Sequence, residues 1–165
     1  MLPTAQSGAQ VALSPLEIEQ WPHTLAARYL TRAWPKGRPA SFRVPALERA
    51  VPVCRDMTRM WMDAGGITED NARRTVLLVV SELMTNAIIH TNSSTISGRL
   101  RKAGERLVVE VRDEGRTSAV PRARRADDTE YGRGLVLVIK SVQALGTRLE
   151  TDGSRTVWAW MPTPR

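Results

Sequence analysis

Glu82-Leu83-Met84-Thr85-Asn86-Ala87-Ile88-Ile89-His90 is the stretch on which the reading of the fold turns. On a helix Glu82, Asn86 and His90 stand four residues apart and share one face, while Val76, Val80, Leu83, Ala87 and Ile88 are left to pack elsewhere. A carboxylate and an amide side by side on a mostly apolar helix cost free energy to bury unless they find partners. A cleft that holds a hydrated cation and phosphates would supply them. Taken alone, the stretch reads slightly better as the partly exposed polar edge of an ordinary amphipathic helix.

Working outward, the same helix is expected to open at Thr68, with Glu69 and Asp70 at the positive end of its dipole, and to stop near His90. Before it, Pro52 suits the first turn of another helix, on which Val53, Met57, Met60 and Trp61 recur at helical spacing until Gly65-Gly66 ends it. A short strand is expected from Ser41 to Val44. After the central helix, Thr95–Arg101 and Arg106–Arg112 read as a hairpin around Lys102-Ala103-Gly104-Glu105, with Leu107, Val109 and Val111 alternating toward one face. The apolar-poor, charge-blocked segment Glu114–Glu130 reads as a long loop. From Gly134 helix resumes, with Leu135, Ile139, Val142 and Leu145 on one stripe, and strands at Thr147–Thr151 and Arg155–Met161 follow. Single strands and hairpins around three helices predict an α/β (α+β) two-layer sandwich, a mixed and mostly antiparallel sheet covered on one face by three helices, rather than a doubly wound sheet.

Two further stretches shift the balance at Glu82. Asp113-Glu114-Gly115 falls where a strand ends, so an acceptor carboxylate and a side-chain-free backbone would face one cleft, suited to hydrogen bonding a base and letting it approach. Gly132-Arg133-Gly134-Leu135 lies between the loop and the next helix, where glycines let backbone N–H groups and the positive helix end approach phosphate. Each is a weak signal by itself. All three in this order, with a loop between the second and the third, are much harder to obtain by chance.

With these residues in view, the sequence resembles the GHKL (Bergerat-fold) ATPase superfamily, and within it the stand-alone regulators of the anti-sigma-factor serine/threonine kinase type. The likeness runs from about Phe42 to Pro162 and includes Val79-Val80-Ser81-Glu82-Leu83, Thr85-Asn86-Ala87 and Thr156-Val157-Trp158-Ala159. It implies ATP and magnesium as cofactors, with Glu82 as general base, Asn86 as magnesium ligand, Asp113 reading adenine and Gly115 giving close approach. Gly132, Arg133, Gly134 and Leu135 would lie at the phosphates, and Thr156 would help Asp113 hold the adenine through water. Two positions depart from the pattern: Thr117 stands where a second glycine is usual, and Glu130-Tyr131 where some kinases keep an arginine. The resemblance implies two protein partners, a sigma factor and an anti-sigma antagonist, and allows a homodimer. Its rival reading is a catalytically weak nucleotide-binding module that sequesters a partner.

Composition narrows the remaining classes. A chain of 165 residues, 42% hydrophobic and 25% charged, is ordinary for a globular domain. Cys54 is the only cysteine, and His23 and His90 the only histidines, which excludes an internal disulfide and Cys/His metal clusters. The net charge of +7 invites nucleic acid, but lysine occurs only at Lys36, Lys102 and Lys140, and arginines are scattered over nearly every segment, so direct nucleic-acid binding is not expected. No stretch approaches the roughly 18 apolar residues of a membrane span, and Met1–Ser14 carries no basic leader, so a cytoplasmic protein is expected. Residues 1–40, proline-rich at Pro3, Pro15, Pro22, Pro35 and Pro39, are expected as an extension of uncertain order ahead of an ATP-binding domain at 41–165. Within them Ser14-Pro15 would start a short helix through Glu19, and Leu25–Leu30 another.

Overall fold

The computed structural model describes residues 10–25, 27–28, 37–115 and 129–164. Ten elements follow one another along the chain: β1 (Gln10–Ala12), α1 (Pro15–Gln20), β2 (Ala40–Pro45), α2 (Ala50–Ala64), α3 (Asp70–His90), β3 (Thr95–Ala103), β4 (Arg106–Asp113), α4 (Thr129–Ser141), β5 (Ala144–Leu149) and β6 (Arg155–Pro162). The strands form one six-stranded sheet in the order β1-β2-β3-β4-β6-β5. Every pairing is antiparallel except that of β1 with β2. The expected two-layer, mostly antiparallel architecture is what the chain adopts.

The sheet's two faces follow from residue alternation. Phe42 and Val44 on β2, Ile96 and Leu100 on β3, Leu107, Val109 and Val111 on β4, and Val157, Ala159 and Met161 on β6 are all buried. With period 2 they line one face, and against it lie the apolar sides of α2, α3 and α4, contributing Met57, Met62, Val76, Val80, Leu83, Met84, Leu135 and Val138. Burying side chains of this size stabilises by roughly 1.5–3 kcal/mol each relative to exposure, which is what offsets the chain entropy. Gly98 is where the sheet accepts Phe42: its missing side chain leaves room for the ring, which a methyl group there would meet at 2.3 Å.

Local chemistry sets the ends of the elements. Ser14 and Glu17 form a reciprocal capping box at α1, Ser14 N donating to Glu17 Oε2 at 2.7 Å and Glu17 N to Ser14 Oγ at 3.2 Å. Gly65 and Gly66, the latter at φ +70°, end α2. Glu69 is itself the cap of α3, its carboxylate accepting from Asn71 N at 2.8 Å and Ala72 N at 2.7 Å. The expected start at Thr68 is therefore two residues early.

The structure corrects two further boundaries and one buried face. α4 begins at Thr129 instead of Gly134. Its buried stripe is Leu135 and Val138, whereas Ile139, expected inward, is 49% exposed. Leu145, assigned to the same helical stripe, lies in β5, which starts at Ala144, three residues before the expected strand. Most of the expected loop, residues 116–128, and the end of the expected helix at Leu30 lie outside the described residues.

Candidate functional site

α3 packs on the sheet beside the other two large helices, touching α2, α4, β3 and β4. Its polar edge is therefore drawn into the fold instead of facing open solvent. Glu82 is partly buried, and loss of water around it pushes its carboxyl above the ordinary glutamate range. One turn on, Asn86 is 9% exposed, and among the described residues no group hydrogen-bonds its side-chain amide. An amide buried in that way costs about 1–3 kcal/mol unless a ligand or water engages it.

α4 approaches Glu82 through a glycine. A methyl group on Gly134 would lie 1.8 Å from Glu82 Oε2 and 2.1 Å from its Cδ, so the carboxylate occupies the space that the missing side chain leaves. Ser81, the neighbour of Glu82, is held from the other side. Arg55 of α2 donates to Ser81 Oγ and, at 3.3 Å, to the carbonyl of Leu77, to which Ser81 also donates at 2.7 Å. The turn that carries Glu82 is thus clamped between two helices.

The second cluster forms where β4 ends. Asp113 is 5% exposed and, being in phase with Val109 and Val111, lies on the helix-covered face. Its Oδ1 accepts from Gly115 N at 2.6 Å, which closes a tight turn after the strand. Glu114 ties this turn to β3: its carboxylate accepts from Thr95 N at 3.1 Å and Thr95 Oγ1 at 3.2 Å, and its own N–H donates to Ser93 Oγ at 2.9 Å. Gly115 has φ +70°, and a methyl group there would meet the Gly153 carbonyl at 1.8 Å. Here its open side is filled by the turn between β5 and β6, so the glycine serves backbone packing.

Other expected site residues fall differently. Gly132, Arg133, Gly134 and Leu135 lie within α4 and not ahead of it. A helix leaves only its first four N–H groups unbonded, so those of Arg133, Gly134 and Leu135 are committed to helical bonds in this arrangement. Leu135 is 2% exposed and belongs to the core. Thr156 pairs in register with Arg112 and Arg148, out of phase with Asp113, and donates to Glu150 Oε1 at 2.8 Å. Successive residues of a strand point to opposite faces, so the Thr156 hydroxyl is directed to Glu150 instead of Asp113, although both Thr156 and Asp113 border one groove. That hydrogen bond, with Arg148 beside it, holds the Glu150 carboxyl below the usual range. Thr117 lies outside the described residues.

Sequence reasoning missed the Arg55 clamp and the Glu114 clasp. Arg55 and Ser81 are distant in sequence and carry no shared motif. Glu114 is adjacent to Asp113, and the acidic pair before a glycine was the available signal for it.

A sheet backed by three helices, with a carboxylate and an amide one helical turn apart on the central helix and a buried aspartate at the end of a central strand, is the architecture of a GHKL-type ATPase. The chain belongs to the histidine kinase-like ATPase domain family, whose model matches residues 44–160, from β2 to β6 and across every candidate site residue. It is accordingly an ATP-binding, histidine-kinase-like ATPase module. No curated protein matches the chain. Among the described residues no helix is long and apolar enough to cross a membrane.

Proposed function

We propose that this chain is an ATP-binding, anti-sigma-factor-like regulator that transfers phosphate to a serine or threonine of an antagonist protein. The observation that carries the reading is the pair on α3: a partly desolvated Glu82 of raised proton affinity, one turn from an Asn86 amide that is buried with no hydrogen-bond partner among the described residues. A base needs a proton affinity brought toward neutrality to accept a hydroxyl proton, and desolvation acts in that direction. Asn86 fits a magnesium ion, which takes oxygen ligands and usually keeps several waters alongside one or two from protein. When bound, magnesium would neutralise charge on the phosphates.

In this reading Glu82 orients the partner's hydroxyl and takes its proton. The hydroxyl oxygen bonds to the γ-phosphorus, the bond to the β–γ bridging oxygen breaks, and ADP leaves. Asp113 would accept a hydrogen bond from the adenine at the end of β4. Arg133, exposed on α4, supplies positive charge near the phosphates. The sigma factor and the antagonist, with assembly as a homodimer and a cytoplasmic location, complete the proposal.

One observation favours the rival, a module that binds nucleotide and sequesters a partner with little turnover. The Gly134 backbone lies against the carboxylate of Glu82, which narrows the space beside it for a hydroxyl. Incubation with magnesium and labelled ATP beside candidate antagonists separates the two. Transfer abolished in Glu82→Ala with ATP affinity retained supports the kinase, whereas ATP binding without transfer to any antagonist supports the module.

A further inference from the structure

The face of the sheet opposite the helices is covered by no helix among the described residues. Its strand positions form rows across the register, and one row reads Arg43, Ser97, Arg112, Thr156, Arg148, alternating cations with hydroxyls over five strands. In the adjacent row Ser41 stands opposite Arg99, and Arg99 opposite Glu110.

Most cations on this face are already engaged. Arg112 pairs with Asp152 and donates Nε to Ser154 Oγ at 2.7 Å, and Arg148 pairs with Glu150 at 2.9 Å. Arg101 shares Glu110 at 3.4 Å, and the Arg106 guanidinium sits 4.0 Å from the centre of the Trp160 ring. Arg43 and Arg99 differ. Both are exposed, and among the described residues neither has an ion pair. They are diagonal neighbours on β2 and β3, roughly 7–8 Å apart at Cα by sheet geometry, and with Ser41 and Ser97 they line a groove of about 610 Å³ whose wall also carries Glu110, Asp113, Glu114 and Asp152, each engaged by an arginine or a backbone N–H.

We propose that this groove docks an acidic segment of a partner protein, with the Arg43 and Arg99 guanidinium forks each taking a carboxylate and the two serines donating beside them. Two like charges held this close repel one another, and a pair of carboxylates removes that cost while gaining bidentate hydrogen bonds. Glu110, in register with Arg99, opposes a continuous phosphate backbone, and among the described residues of this face only Arg43 and Arg99 are unengaged cations that could release counterions, so a nucleic acid fits this surface less well than a peptide. Trp158, also in register with Glu110 and partly exposed, offers the aromatic anchor that protein interfaces favour. Arg43 and Arg99 lie on the other side of the sheet from Glu82 and Asn86, so the proposal stands independently of the pair that carries the kinase reading, although Asp113 borders the same groove.

Fluorescence anisotropy of the full chain with a labelled glutamate–serine peptide tests it, alongside a labelled single-stranded oligonucleotide of equal charge. The parent protein is expected to bind the peptide with an affinity that falls as salt rises. Arg43→Glu with Arg99→Glu should weaken this by at least about tenfold, with the thermal melt and nucleotide affinity unchanged. If the double variant does not fold, the single changes Arg43→Gln and Arg99→Gln carry the same comparison. The proposal is overturned if the parent does not bind the peptide, if the variants bind it equally well, or if the oligonucleotide binds more tightly than the peptide.

Discussion

Gly134 on α4 and Glu82 on α3 share one volume: the carboxylate of the second rests where a side chain on the first would be. The helix–helix contact and the candidate base are therefore one feature, and a single methyl group separates their two roles. In Gly134→Ala the added carbon meets the movable end of Glu82, which can swing away, while alanine gains about 0.5–1 kcal/mol over glycine inside a helix. Equilibrium unfolding should place the variant within about 1 kcal/mol of the parent, with phosphate transfer strongly reduced. Full transfer activity in a stable variant would show that the carboxylate position does not matter.

The raised proton affinity of Glu82 has a sign in stability. The folded state binds the proton more tightly than the unfolded chain, so the contribution is fully present below the ordinary glutamate value of about 4.3 and is lost as pH rises through the higher folded value. Glu82→Gln removes the charge and keeps the shape. Its denaturant midpoint should exceed the parent's at neutral pH, and the gap should close as the pH is lowered to the ordinary glutamate range. A parent as stable as the variant at neutral pH would mean the carboxylate bears no desolvation cost.

Gly115 and Gly153 both have positive φ, at +70° and +85°, but only at Gly115 would a side chain strike backbone. Gly153→Ala should cost about 1–2 kcal/mol, the left-handed strain alone. Gly115→Ala should cost clearly more, because the Gly153 carbonyl and the turn behind it must move. Comparable losses in urea titrations of the two variants would contradict the contact.

At Gly98 the obstacle is the buried ring of Phe42, which has no free end to give. Gly98→Ala should lower stability by about 1–3 kcal/mol as an overpacked core site. The double change Gly98→Ala with Phe42→Leu should recover part of the loss, which thermal melts of the two variants beside the parent would reveal.

What could be read from the sequence was local. The hairpin of β3 and β4 was legible because Leu107, Val109 and Val111 alternate and Gly104 marks the turn, and the Glu82–Asn86 edge because helical spacing is a property of neighbours. The start of α3 was misread by two residues because a glutamate side chain supplied the cap expected of Thr68. α4 and β5 were misjudged because Ile139 and Leu145 are apolar at helical spacing, while the register of β5 with β6 decides where the helix gives way. The orientation of Thr156 depended on strand phase relative to Asp113, and Arg55 reached Ser81 only through the packing of two helices. Neither is encoded in a short motif.

β1 lies along β2 in parallel register, and just beyond it Leu13 N donates to the Arg43 carbonyl at 2.9 Å, while Leu13 and Ile18 enter the core. A version trimmed to begin at residue 40 would uncover the flank of β2, leaving its backbone groups as a template for another chain and two hydrophobic vacancies behind it. Such a shortened protein is expected to self-associate, so solubility on trimming reports directly on how much the leading segment shields.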